Sequence, residues 1–341
     1  MYDHYIGLDW AQSNMAIARM SKVLEKVHVI DVDADITELI FYLKNLKGKK
    51  ILTFEETNTS QWLYTELRKY VDKIVVCDPY RNKLLSEGAK TDKLDAIKLV
   101  KLLRSDLLKP VYHSANEFIY LRTLVSGYED SVQGYVRATN QRQAVFRSNG
   151  KNHLSDDLDN KSQKFVAKEL EGQVEFFTQQ RKRYEEKFAL LCRKHKVLKN
   201  LMTIPGIAEK SAVKLAARIV DINRFESDKH LWSYCGLIKY EKMSGGRSYG
   251  KRSPRFSRSI KALLCTSTMV ATQEKNDNVL KDRYEYLIRK KRYSDDQAKV
   301  ATRRLLASII YGVMKSGKKF DPGRIKTTEK KLNLKELTVS L

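Results

Sequence analysis

The sequence predicts a mixed α/β domain at its N-terminal end followed by a mainly helical remainder. Short β-rich runs crowd the first third, where "HYIGLDWA", "NMAIARM" and "EKVHVIDV" are separated by turn-forming residues. From about Ala115 onward the dominant pattern is long runs with apolar residues three and four apart. The 341 residues leave room for about two domains. At 42% hydrophobic and 31% charged residues the chain can bury real cores, which sets it apart from disordered sequences.

The three β-rich runs read as a three-strand meander. A helix follows over "ITELIFYLKNL", where Ile36, Leu39, Ile40, Leu43 and Leu46 share one face. Next come a fourth strand "KKILTFEE", a helix "SQWLYTELRKY", a fifth strand "KIVVCD" and helices around "YRNKLLSEGAKTDKLDAIKLVKLLR". A meander that gives way to strand–helix alternation implies one mixed sheet flanked by helices. The segment from Ala115 to Arg147 is helical and rich in Arg, Gln and Tyr. After the polar break "SNGKNHLSDDLDNKS" a second long helical run carries Phe165, Leu170, Val174, Phe177, Tyr184, Phe188 and Leu191 at spacings of three to seven. That pattern predicts an antiparallel or intermolecular helix pair. "LMTIPGIAEKSAVKLAARI" has the form of a helix-hairpin-helix, whose Pro-Gly turn presents backbone N–H groups to a DNA phosphate. An ordinary helix–turn–helix corner fits the same residues. The expected division is 1–147, 148–196, 197–322 and a charged tail over 323–341.

Charge narrows the partners. The chain carries 65 Lys+Arg against 41 Asp+Glu, a formal net charge of +24. A surplus that large calls for an anionic partner, and nucleic acid is the usual one, ahead of a membrane surface. No window approaches 18 uncharged apolar residues, and "MYDHYIGLDW" lacks a signal peptide's basic region and apolar core. The expectation is therefore a protein of the cytoplasm, associated with the nucleoid. Cys77, Cys192, Cys235 and Cys265 are scattered without a C-x-x-C pair, and the six histidines are equally dispersed. Both facts argue against a zinc site.

Four acids stand where chemistry could use them. Asp9 ends the first strand, with Gly7 on the same face expected to leave open space beside it. Glu55 ends the fourth strand, and Asp92 and Asp95 share one face of the later helix, since i and i+3 are neighbours. Taken singly, Asp9 and Glu55 read as strand-end turn formers, and Asp92 and Asp95 as first-turn acids complementing a helix dipole. Taken together, carboxylates converging from two adjacent strands and one helix would repel each other unless a divalent cation neutralised them. Hard oxygen donors select Mg²⁺, with Mn²⁺ as substitute. This order of acids reproduces the layout of the RNase H and Holliday-junction-resolvase (RuvC) fold.

A second group lies in "KYEKMSGGRSYGKRSPRFSRSIK", Lys239 to Lys261, with eight Lys/Arg against one acid. It reads as a flexible basic loop presenting the Ser244 hydroxyl to a phosphate. A serine can attack phosphorus if it is activated and cations hold the phosphate. A phosphate-binding loop without a covalent role fits the local sequence as well. Candidate nucleic-acid contacts are Gly206, Lys210, Arg247, Lys251, Arg252, Arg255 and Arg258. Tyr240 and Tyr249 lack the Arg…His-x-x-Arg company of a tyrosine nucleophile.

Over nearly its whole length the chain resembles the DEDD transposases of the insertion-sequence group that includes the pilin-inversion recombinase, which are bridge-RNA-guided serine recombinases. The matching stretches are "YIGLD", "FEETNTS", "KTDKLDA", "IPGIAEKSA", "YCGLIKYEKMSGG" and "VMKSGKKFD". The resemblance implies an RNase H/RuvC-like catalytic domain, a helical coiled coil, and a mainly α C-terminal transposase domain containing the helix-hairpin-helix. The family's four acids fall on Asp9, Glu55, Asp92 and Asp95, which would hold the metal. Its serine, eight residues beyond the glycine of the Gly-Leu pair at Gly236, falls on Ser244. It further implies a phosphoserine link to DNA, strand exchange between donor and target duplexes, a structured guide RNA, and dimers assembling into a tetramer. The chain departs from the family pattern at Glu56 and Asn58 after the strand-four glutamate, at Ala208, and at Lys239. Glu56 is a rival to Glu55 one register away, on the opposite strand face. Two other functions fit the same residues: a resolvase-like, metal-dependent, structure-specific nuclease that needs no serine, and a non-catalytic nucleic-acid-binding protein.

Overall fold

Five strands form one mixed sheet in the order β3-β2-β1-β4-β5. They are β1 (His4–Trp10), β2 (Asn14–Ser21), β3 (His28–Asp33), β4 (Lys50–Glu55) and β5 (Lys73–Cys77). The computed structural model describes residues 1–325 except Leu24, 83–90, Ser155 and Glu274. The chain divides into two compact units, Met1–Ala115 and Asn116–Leu341.

In the first unit β1, β2 and β3 pair antiparallel, the expected meander, while β4 lies parallel to β1 and β5 parallel to β4. Alternation along β1 decides the layers. Ile6 and Leu8 point into one core with Leu52 and Phe54 of β4, closed by Leu39 and Leu43 of helix α1 (Ile36–Asn45) and Leu63 and Leu67 of α2 (Ser60–Leu67). A short helix α3 (Pro79–Asn82) follows β5. Gly7 and Asp9 face the other layer, which α4 (Asp92–Arg104) covers by setting Ala96 and Val100 against Ala16, Ala18 and Met20 of β2.

Gly7 does not leave the open space expected beside Asp9. A Cβ there would lie 2.5 Å from the Ala96 carbonyl oxygen and 2.8 Å from the Val100 nitrogen. The missing side chain is filled by the backbone of α4, so Gly7 sets how closely helix and strand approach.

In the second unit α5 (Leu121–Arg147) and α6 (Lys161–Lys194) pair within one chain. Tyr128 meets Phe188, Gly134 lies under Phe177, and Arg142 pairs with Glu171. Partners fall on α6 as positions rise on α5, so the helices are antiparallel. The compact division at Ala115 places α5 with the helices that follow it. The remaining elements are α7 (Lys196–Leu201), α8 (Glu209–Ile219), α9 (Asp228–Tyr234), β6 (Tyr240–Ser244), β7 (Arg247–Arg252), α10 (Arg258–Ala271), α11 (Val279–Arg289) and α12 (Asp295–Ser316). Their core joins Leu198, Leu201, Leu215, Leu231, Leu264, Leu280 and Leu306 to Val125 and Phe188. Among the described residues no helix is long and apolar enough to cross a membrane. Of the expected charged tail, 326–341 lie outside the described residues, as do residues 83–90 of the run ahead of α4.

Candidate active site

The parallel pairing of β1 and β4 brings Asp9 and Glu55 to the same end of neighbouring strands. Gly7 pairs with Thr53, and two residues on along each strand the period of two puts Asp9 and Glu55 on the face that α4 covers. Glu56 lies just past the end of β4, and its backbone N–H donates to the Cys77 carbonyl at 2.9 Å. Helix α4 begins at that end because Thr91 caps it, its hydroxyl accepting from the Leu94 N–H. Asp92 and Asp95 therefore occupy its first turn.

Electrostatics tie the four acids together. Burial first, then the charges of Asp92, Asp95 and Glu55, push the Asp9 carboxyl up from the usual 3.8 to about 6. The Asn14 side-chain amide donates to Asp92 Oδ2 at 2.8 Å. Lys98, one turn along α4, reaches Asp95 Oδ1 at 3.3 Å, and Lys93 pairs with Asp31 of β3 at 3.3 Å. Asn14 and Lys98 escaped the sequence reading. Lys98 was legible as an i, i+3 partner, whereas Asn14 needed the sheet register.

Among the described residues no three His, Cys, Asp or Glu side chains close tightly enough to form a finished metal cage. The donor set nevertheless fits a hard divalent cation. It consists of carboxylate oxygens, and the repulsion that lifts Asp9 is what a 2+ charge placed among them relieves.

Ser244 belongs to the second unit and ends β6. The expected flexible loop is a β-hairpin: Ser244 pairs with Arg247 across Gly245 and Gly246, whose φ values of 53° and 78° make a type I′ turn. A Gly-Gly pair takes this turn because no Cβ obstructs positive φ, and the twist of the turn matches that of the strands. Every residue of β6 and β7 is exposed, including Ser244, Arg247, Lys251 and Arg252. The arm is anchored at its base, where Phe256 packs under Gly236, Arg304 Nε donates to the Leu237 carbonyl at 2.9 Å, and Ser233 bonds to the Tyr240 hydroxyl at 3.2 Å. Arg255 and Arg258 are exposed just beyond it, Arg258 in the first turn of α10.

The other candidates are more constrained. Gly206 turns the chain between α7 and α8 with φ of 80°, and a Cβ there would lie 2.2 Å from the Ser267 carbonyl oxygen of α10. That glycine serves packing of the corner. Lys210, in the first turn of α8, is paired with Glu185 at 3.1 Å. Burial pushes the Cys192 thiol up to about 11, helped by Glu209, and the Cys235 thiol up to about 12, so neither is a nucleophile at neutral pH.

Two known families match separate stretches of the chain. Residues 6–150 match the family of DEDD transposases of the IS110 type. Residues 198–285 match the family described as transposase IS116/IS110/IS902. No curated protein matches the chain closely enough to show kinship. The two matches occur in one chain and in order, one over the sheet, α4 and α5, the other over the corner, the hairpin and α10. The chain belongs to the IS110/IS116/IS902 family of transposases, enzymes that act on DNA.

Proposed function

We propose that the protein recombines DNA strands for an insertion sequence through a covalent serine link, assisted by a metal held at the DEDD site and guided by an RNA. The observation that carries the metal half is the β1/β4 register together with the first turn of α4, which set Asp9, Glu55, Asp92 and Asp95 at one end of the sheet. Mg²⁺ or Mn²⁺ bound there supplies Lewis-acid polarisation of phosphate oxygens. Asp9, Glu55, Asp92 and Asp95 hold it. Ser244 Oγ forms a bond to phosphorus while the bond from phosphorus to one deoxyribose oxygen breaks; the serine proton passes to solvent and the departing sugar oxygen takes one proton up from solvent. The freed sugar hydroxyl reverses the step on a new partner strand, so rejoining needs no external energy source. Arg247, Lys251 and Arg252 hold the phosphates during exchange, with Arg255 and Arg258 continuing the basic track.

The family makes DNA a partner. Guide RNA is supported by the charge surplus, because an RNA scaffold and two duplexes demand extensive neutralisation. The protein then reads backbone and helix shape while base pairing selects sequence. Support for assembly into dimers and tetramers comes from the resemblance and from the hairpin, an exposed arm that needs a partner to give it a defined setting. The α7–α8 corner serves as a helix-hairpin-helix through its N–H groups and Lys210. The work belongs in the cytoplasm, at the nucleoid.

The test is a covalent adduct. Protein expressed with the DNA flanking its gene is supplied with Mg²⁺, digested with nuclease, and searched by mass spectrometry for a nucleotide on the peptide containing "MSGGR". An adduct on Ser244 that vanishes in Asp92→Asn is the expected result. Cleaved DNA without an adduct overturns the serine step and leaves a resolvase-type nuclease. Binding without any cleavage leaves a nucleic-acid-binding protein.

A further inference from the structure

Asn14 opens β2, two residues before Ala16, which sits opposite Asp9 in the antiparallel pair. The strand period places Asn14 on the same face as Asp9, under the start of α4. From there its Nδ2 donates to Asp92 Oδ2 at 2.8 Å, across 78 residues of sequence. The direction is settled by chemistry, since an ionised carboxylate only accepts and the amide must turn its NH₂ toward it. The Ser13 hydroxyl lies 3.5 Å from Asn14 Oδ1, on the other side of the amide. The backbone is held as well, the Asn14 carbonyl accepting from the Ala11 N–H at 3.0 Å and Asn14 pairing with Asp33 of β3.

This bond is not needed to seat the helix. Thr91 caps α4, Lys93 ties it to Asp31 at 3.3 Å, and Ala96 and Val100 pack it onto the sheet. What the amide adds is the orientation of one carboxylate: it engages Oδ2 and leaves Oδ1 for an ion.

Resting on the metal reading above, we propose that Asn14 is a positioning residue for the metal, fixing the rotamer of Asp92. Partners that orient a ligating carboxylate are typically worth about 10- to 100-fold in metal affinity.

The test titrates Mn²⁺ into the full-length protein by calorimetry and by the Mn²⁺ electron paramagnetic resonance signal, alongside metal-free thermal unfolding. Asn14→Ala is expected to weaken Mn²⁺ about 10-fold while leaving metal-free unfolding unchanged. Asn14→Ser, which keeps a donor, should recover part of the loss. In an Asp92→Asn background Asn14→Ala should add nothing, and the cleavage defect of Asn14→Ala should fade as Mn²⁺ saturates. Wild-type Mn²⁺ binding by Asn14→Ala, with binding lost in Asp92→Asn, overturns the proposal and keeps the metal site. An equal loss on both backgrounds, or a drop in metal-free unfolding temperature that Asn14→Ser shares, assigns Asn14 to the fold and also overturns it. Unchanged Mn²⁺ binding by Asp92→Asn overturns the metal reading itself.

Discussion

The carboxylate site and the serine arm are built on opposite principles. Asp9, Glu55, Asp92 and Asp95 stand on elements packed from both faces of a sheet, and α4 comes close enough to crowd them only because β1 has glycine at position 7. The surrounding core buries Asp9 and holds like charges beside it, and the two together push its carboxyl up to about 6. The hairpin buries none of its residues and takes its shape from one Gly-Gly turn and a ladder of polar strands. An isolated two-stranded hairpin is marginally stable in water, so contacts at its base and with whatever it docks on must define its setting. A metal site requires ligands fixed in advance, since repulsion would otherwise scatter them. A nucleophile that must reach a phosphate on a separate molecule requires projection.

Substitutions in the two regions should therefore differ in what they disturb. The largest effect on stability belongs to Gly7→Val. Its side chain meets the α4 backbone, which cannot yield without moving the helix, and the cost is about 3 kcal/mol or more. Thermal unfolding should fall by many degrees and cleavage should vanish; a normal unfolding temperature would break the claim that close approach builds the site.

Asp9→Asn should act in the opposite sense. The Asp9 carboxyl is raised in the folded state, so the metal-free protein has the associated stability in full below about 4 and loses it as pH rises through about 6. Removing the charge should stabilise the chelator-treated protein at pH 7.5 by roughly 1–2 kcal/mol after allowance for solvent screening, and flatten its stability between pH 4 and 6. The same variant should lose strand cleavage. A destabilised Asp9→Asn would show that the acids do not repel.

Ser244→Ala should be the mildest, changing stability by no more than about 0.5 kcal/mol because the hydroxyl is exposed at an arm's tip. DNA binding should persist while the covalent adduct disappears. Marked destabilisation would mean that the hairpin is part of the core, and the contrast would collapse.

Much of the first region was legible in the sequence. The three apolar runs around Leu8, Ile17 and Val29 carried strand character, and Asp92 and Asp95 declared a shared helix face through their spacing. Gly7 was misread for a physical reason: a residue without a side chain is the same letter whether it leaves a gap or admits a neighbouring backbone. The hairpin was read as a loop because its strands contain no buried residue, so the period-two alternation of apolar side chains that reveals a strand is missing. The second long helical run announced a partner through Phe177, Tyr184 and Phe188 without saying which. Only the contacts with Gly134, Gly127 and Tyr128 identify α5 of the same chain, running antiparallel.

By itself the sequence determined the local elements that bury a face, the charge surplus and the residue types available for chemistry, because helix and strand periods and composition are properties of neighbours along the chain. Tertiary structure alone decided that Glu55 shares the face of Asp9, that α4 lies against Gly7, and that Asn14 reaches Asp92. Each depends on register and approach between elements tens of residues apart, and those are set by how whole layers of side chains interlock rather than by any short stretch of residues.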